Sequence, residues 1–420
     1  MDTSPLPPAH DLTAAEDWVR NHLGAFVDDE VVGSPRFRGG QAAADAALAS
    51  LDVTGYAARR NEVLPTDRRG ATAISPYVRH GLLSLPLLWG AVADMPRRDR
   101  DRFRDELLWQ EHSRHLYARV GGANREGLRR TRPGVPITLD DPGADGAVDA
   151  VWDRSMACLD MTVDELMTDG YLVNQTRMWL ASHWAVREDR DWRDGEDVFY
   201  RHLLDGSRAA NRAGWQWTVG TGTGKTYGFS RWQVETRAPG LCGTCVHRDA
   251  CPIEDWPEDV PLATAEEHPR LRRDDAPAAT AGPGSPEVTG SPERVWLTAE
   301  SLGDSDPALI AHPDLPAVFV FDAPLLSRLR LSGKRLVFLV ETLTELAERR
   351  PLRVAVGDPV KELAGIPLAV TFAPVPGFGR RAASLHVVAR HPWPWLVPPH
   401  SGSVASFSAW RKAAASVRGA

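Results

Sequence analysis

DGSRAANRAGWQWTVGTGTGKT, residues 205–226, decides how this chain is read. Asp205 opens the stretch, and Asn211 stands four residues before Trp215 in Gly214-Trp215-Gln216-Trp217. The end, VGTGTGKT, invites a phosphate-binding loop. Such a loop needs glycine five residues before Gly224, and Val219 stands there. No strand-like run precedes it, so ATP hydrolysis through this loop is set aside.

Working outward, the sequence from about Pro35 to Trp256 reads as helix. DRDRFRDELLWQEHSRHLYARV places Phe103, Leu107, Leu108, His112, His115 and Leu116 near one stripe. VDELMTDGYLVNQTRMWLASHWAV is interrupted by Gly170 and is split there into two helices. Upstream, residues 1–33 form an N-terminal extension with one amphipathic helix, about Leu12 to Val27. Downstream, residues 259–293 are rich in Pro, Ala, Gly and charge, which predicts a flexible linker whose cutting leaves two folded pieces. After it come RVWLT, AVFVFDA, RVAVGD, LAVTF and LHVVA, short apolar runs of strand length, with the amphipathic KRLVFLVETLTELAERR between the second and third. The expected fold is therefore multidomain: an all-α domain over residues 34–258, then a smaller α/β, Rossmann-like domain over residues 294–420.

Composition narrows the classes. Hydrophobic residues make 43% and charged residues 25% of the 420, ordinary for a globular chain. A run of ~18 apolar residues is missing, so no membrane span is expected. The N-terminus lacks the pattern of a signal peptide, and a cytoplasmic protein is expected. The net charge of -7 rules out a globally basic nucleic-acid binder but allows a local basic rim, for which Arg125, Arg129, Arg130 and Arg132 are candidates. Fifteen tryptophans are many for this length. Indole packs cores and is also readily oxidised by one electron. Of four cysteines, Cys242, Cys245 and Cys251 are clustered, which reads as metal or cluster ligation rather than disulfides.

Six collinear pieces resemble the flavin domain of the photolyase/cryptochrome family: FRGGQAAADAALASLDVTGYAARRN, GATAISPYVRHGLLS, DELLWQEHSRHL, GYLVNQTRMWLAS, DWRDGEDVF and the stretch from Asp205. The resemblance implies non-covalent FAD held by Tyr56, Thr72, Ser75, Asn174, Arg177, Asp205 and Asn211. Asn174, Arg177 and Met178, at i, i+3 and i+4, share one helix face. An Arg177–Asp205 pair would sit against the polar edge of the isoalloxazine. Asn211 would face its N5. The family pattern further implies that Trp215 and Trp192 begin an electron-transfer chain, and that Glu106 and Trp109, with Met178 opposite, contact an extruded pyrimidine lesion. Two departures stand out. Ala71-Thr72-Ala73 replaces the usual Thr-Ser-basic, and Ser207 replaces a second acidic residue. A third tryptophan is missing from VPITLDDPG, where the chain would continue.

LCGTCVHRDACPIEDW is similar to the cysteine segment of the iron–sulfur bacterial photolyases, with a shorter loop before Cys251. By that similarity Cys158 is the fourth ligand of a 4Fe-4S cluster. Zinc held by three cysteines and His247 is the alternative. The C-terminal runs resemble the α/β domain that normally comes first in the family, so the chain reads as a circular permutant. No residue identifies an antenna chromophore. The resemblance implies light-driven electron transfer to pyrimidine photolesions in DNA. A cryptochrome-like blue-light receptor without repair, or a light-independent redox flavoprotein, are the alternatives.

Overall fold

The computed structural model describes residues 5–132, 152–258 and 261–418. Helix α1, Leu12–Leu23, starts where the Asp11 carboxylate accepts from the Ala14 amide at 2.9 Å. It buries Trp18, Val19 and Leu23, and the Trp18 ring meets Phe321 of the sheet at 5.8 Å. The N-terminal segment therefore covers the α/β domain, its neighbour in space although not in sequence.

The helical domain is built around α2, Arg97–Val120. All six residues of the predicted stripe are buried. Gly121, at φ 59, ends the helix. Helix α3, Ala157–Asp169, stops at Gly170, whose φ of 67 is the left-handed cap a glycine accepts without strain. Helix α4, Asn174–Ser182, follows and runs into a π-helical turn, His183–Arg187. Helices α5, Trp192–His202, and α6, Arg208–Thr218, complete the wall. The domain is not wholly helical. Arg130–Thr131 (β1) pairs antiparallel with Ala263–Thr264 (β2), a two-residue ribbon too short to show in the hydrophobic pattern.

The stretch expected as a flexible linker is packed. Leu271 is fully buried, Asp274 lies 3.7 Å from Arg119 of α2, and a short helix, Pro277–Ala281, follows. Its apolar side chains are few but well placed, which is why composition alone suggests a tether.

The second domain is a six-stranded sheet in the order β3-β8-β7-β4-β5-β6: Glu287–Val288, Val387–His391, Leu368–Thr371, Arg294–Leu297, Ala317–Asp322 and Leu352–Gly357. The strands β4 to β8 are parallel, and β3 is an antiparallel edge. The chain steps from β4 to β5 and β6 on one side and to β7 and β8 on the other, the doubly wound pattern. Helix α7, Gly333–Arg349, crosses from β5 to β6 and is buried along nearly its whole length, because the sheet lies on one side and the helical domain on the other. The last helix, α8, Phe407–Arg418, returns to α2, where Trp410 is fully buried with Leu108, Leu116 and Val120. Among the described residues no helix is long and apolar enough to cross a membrane.

Candidate functional site

Asp205 is placed by two fully buried leucines, Leu203 and Leu204, and by the Leu204 amide donating to the Gly170 carbonyl at 2.8 Å. That bond brings the turn before α6 against the turn before α4. Arg177 of α4 donates to Leu172 O through Nε at 2.9 Å and to Asp205 Oδ2 through Nη2 at 2.7 Å. Ser75 Oγ donates to the same Oδ2 at 2.5 Å. Burial opposes the charge of Arg177, but the Asp205 carboxylate outweighs it and holds the guanidinium above its ordinary range. Asp205 Oδ1 is buried without a partner, and so is Asn211 Nδ2. An acceptor and a donor left open in a buried polar site are unfavourable by about 1–3 kcal/mol each unless a ligand or water meets them. The polar edge of a flavin ring offers the complementary groups, so these residues fit FAD.

Around this core the other expected residues fall into groups. Tyr56 is buried in edge contact with Phe103 at 5.4 Å, and burial, with the Glu106 carboxylate nearby, raises its pKa. Glu106 is held by Arg60 at 3.4 Å and Arg102 at 3.1 Å. Asn174 Nδ2 reaches Met178 Sδ at 3.5 Å, as their spacing on one face predicts. Trp215 is buried over Gly195, where an added Cβ would stand 2.2 Å from the indole. Trp192 lies one turn before Gly195 on the same helix, and Phe199 one turn after, its ring 5.2 Å from Trp215. Thr72 is partly buried and sits before Ala73, whose φ is 54. The segment that would carry a third tryptophan lies outside the described residues. Phe199 leads on instead to Trp152 at 6.0 Å, and Trp152 to Trp184 at 5.2 Å.

Trp109 departs from expectation. It is half-exposed, and one of its faces is covered by Phe407 of α8. None of the flavin-like motifs points to Phe407. Its one signal in the sequence is the amphipathic pattern FSAWRKAAASV near the C-terminus. Of the candidate basic rim, Arg132 pairs with Asp189, and Arg130 donates to Thr264 Oγ1 at 2.6 Å, while Arg129 is exposed. The glycine-rich turn after α6 is closed on itself. The amides of Gly222, Thr223 and Gly224 donate to Gln216 O, Gly220 O and Gly220 O, which leaves them no phosphate to cradle.

The four cysteines line one small open cavity with Met156, Ile253 and His247, although Cys158 stands 84 to 93 residues from the other three. Cys158 sits in the first turn of α3, and the neighbouring Ala157 amide donates to Cys245 Sγ at 3.5 Å. Cys242 lies on the single-turn helix Leu241–Thr244. All four are free thiols. Burial, helped by the other thiols, pushes Cys158 up to about 12, so thiolate ligation there requires a bound cation. Among the described residues no three His, Cys, Asp or Glu groups converge closely enough to hold a single metal ion.

Comparison with known proteins agrees with this geometry. Residues 103–238 match a family model described as the FAD binding domain of DNA photolyase. The chain is 29% identical over 227 residues to the deoxyribodipyrimidine photo-lyase of a Thermus thermophilus strain, covering 52% of this chain and 50% of that protein. It is 28% identical over 156 residues to the enzyme of the same name from Agrobacterium fabrum, covering 36% and 32%. Among solved structures, the Synechocystis cryptochrome aligns over 51% of this chain and 46% of its own, at 21% identity and a TM-score of 0.42. The chain thus spans half or less of the length of these relatives.

Proposed function

This chain belongs to the photolyase/cryptochrome family, and from that premise we propose that it binds FAD non-covalently and drives repair of pyrimidine photolesions in DNA with light. The observation that carries the proposal is the partly buried Ser75–Asp205–Arg177 network with the buried atoms Asp205 Oδ1 and Asn211 Nδ2 left open. Bound FAD would supply the one-electron donor. The chain's residues do the rest: Arg177 keeps a fixed positive charge beside the site, Asp205 accepts a hydrogen bond, Asn211 donates one, and Trp215 with Trp192 serves as an internal electron source. Glu106, Trp109 and Met178 contact the flipped lesion in this reading, with exposed Arg129 on the rim. The test is blue-light reversal of a thymine dimer in a synthetic oligonucleotide by the reduced, FAD-loaded protein. Dimer that persists under light, with FAD bound, rejects repair.

A second reading, a cryptochrome-like photoreceptor, is favoured by two observations: Phe407 already covers a face of Trp109, and Glu106 is engaged by two arginines. In the same assay a receptor gives light-driven flavin reduction without dimer reversal.

The chain is further read as a circular permutant, since the helical domain precedes the sheet and each terminus packs on the other domain. The cysteine cavity is read as the seat of a 4Fe-4S cluster. Iron analysis after anaerobic purification tests it, and zinc at one per chain without iron rejects it.

A further inference from the structure

Arg335 is a buried cation with no carboxylate in direct contact, although the Asp205 carboxylate lies near enough to act on its charge. Arg335 lies in the first turn of α7, only 3% exposed, and among the described residues it makes no salt bridge. Its position opposes the usual preference, because the N-terminal end of a helix repels positive charge. Its Nη1 donates to the Tyr200 carbonyl and its Nη2 to the Gly206 carbonyl at 3.1 Å, while Nε stays unpaired. Burial lowers it to about 10. Buried charge is costly, so a site that keeps one under these conditions calls for a compensating role.

That role is visible at Gly206, the residue after Asp205. Its carbonyl is held twice: by Arg335 from the α/β domain and by Arg79 Nε at 2.8 Å from the helical domain. Arg79 has its own partner, Glu300 at 2.9 Å. Arg335 packs so closely that a Cβ on Gly206 would stand 2.7 Å from its Nη1. The peptide that follows Asp205 is clamped between two guanidinium groups. Both come from outside the segment that matches the flavin-domain model, residues 103–238, and Arg335 comes from the α/β domain.

We propose that Arg335 is a positioning residue of the flavin site: it fixes the Asp205 turn from the α/β domain, and its positive charge, held by carbonyls and not by a salt bridge, favours a flavin that has gained an electron. This rests on the FAD reading above. It makes the α/β domain a contributor to the flavin's chemistry as well as a neighbour. The residue acts through Gly206 and Asp205 and touches no substrate.

The test uses the full-length protein loaded with FAD, with Arg335→Met and Arg335→Lys. FAD midpoint potential, FAD dissociation constant and urea midpoint are measured for each. Arg335→Met is expected to shift the potential in the negative direction and to weaken FAD about tenfold, the scale of one lost charged hydrogen bond. Arg335→Lys keeps the charge but cannot span both carbonyls, so it should weaken FAD while holding the potential near the parent's. A merely structural arginine would lower the urea midpoint and leave the potential unmoved, and that result overturns the proposal. Should Arg335→Met fail to fold, parental FAD affinity in Arg335→Lys overturns it equally. A parent that binds no FAD overturns the FAD reading itself and the proposal with it, whereas a difference between variant and parent bears on Arg335 alone.

Discussion

Trp109 of α2 lies flat against Phe407 of α8, ring centroids 3.9 Å apart and planes 11° from parallel. Beside them Arg411 reaches Asp105 at 3.0 Å, so the C-terminal helix is pinned to the face that bears Glu106 and Trp109. Stacked pairs of this kind contribute about 0.5–1.5 kcal/mol beyond area burial. Phe407→Ala should therefore cost about 1–2 kcal/mol in urea denaturation, with allowance for the exposed edge of the pair. If Trp109 meets a lesion, the same change frees a ring face and should alter affinity for dimer-containing DNA over undamaged DNA. Identical affinities in parent and variant would leave Trp109 a structural residue.

Asp205→Ala removes the carboxylate that Arg177 and Ser75 share. The partly buried Arg177 guanidinium loses its carboxylate and keeps only Leu172 O, and FAD loses an acceptor in the same step. FAD affinity should fall at least a hundredfold, read from quenching of flavin fluorescence. Asp205→Asn, which keeps shape and one acceptor, should fall less. Equal retention of FAD by all three proteins would remove Asp205 from the site.

Asp205, Arg177 and Ser75 stand in sequence motifs whose likeness to the family implies one flavin cradle, and in the fold they meet within hydrogen-bond distance. Cys158, which the sequence marks only as the remaining thiol, lines the cavity of the other three. The five strands are readable as apolar runs bounded by turn residues, because parallel strands buried on both faces carry near-continuous Val, Ile and Leu. What is not legible in the sequence shares one cause. Phe407, Arg335 and Leu271 act through partners in another domain, and neither periodicity nor a local motif encodes a contact between distant segments. The packing of residues 259–293 escapes the sequence for the same reason: Leu271, the Asp274–Arg119 pair, the Trp395 indole on Ala281 O and the short strands β2 and β3 tie to distant segments a stretch whose composition reads as loose.

The seam between α2 and the C-terminal segment is built on neutral histidines. His112 Nε2 donates to Val404 O, 3.1 Å away, and burial lowers it to about 4, with His115 and Arg119 adding repulsion. His400 is likewise lowered to about 4 by burial, with His115 and Arg119 beside it. Both pKa values lie below the unfolded value of about 6.5, so the unfolded chain binds more protons in between. Stability from these groups is complete above about pH 6.5 and is lost as pH falls toward 4. The slope is up to about 1.4 kcal/mol per pH unit for each histidine. Thermal melts between pH 7 and pH 4 should show this decline, and His112→Gln should flatten it. A melting temperature constant through that window in the parent would show the histidines to be charged or exposed.

The two domains are interlocked by their ends, and this decides what cutting the chain does. Gly284 is exposed, so a protease site placed there is reachable. A cut gives one piece with α1 and the helical domain and another with the sheet and α8. Yet α1 belongs to the sheet side: Trp18 meets Phe321, Asp28 holds Arg330 at 2.8 Å, and Asp29 accepts from the Gly333 amide at 2.8 Å. Conversely, α8 and the segment before it belong to α2, through Trp410, through the Val397 amide on Glu111 at 2.9 Å, and through Arg119 on the carbonyls of His400 and Gly402. Separation would expose both apolar seams at once, at roughly 25 cal/mol for each Å² uncovered. The cut protein should therefore elute as a single species of the parent's size and keep its FAD, and fall apart only in denaturant. Fragments that run as two independent folded monomers in plain buffer would show that the seams do not hold, and would return residues 259–293 to the role of a tether.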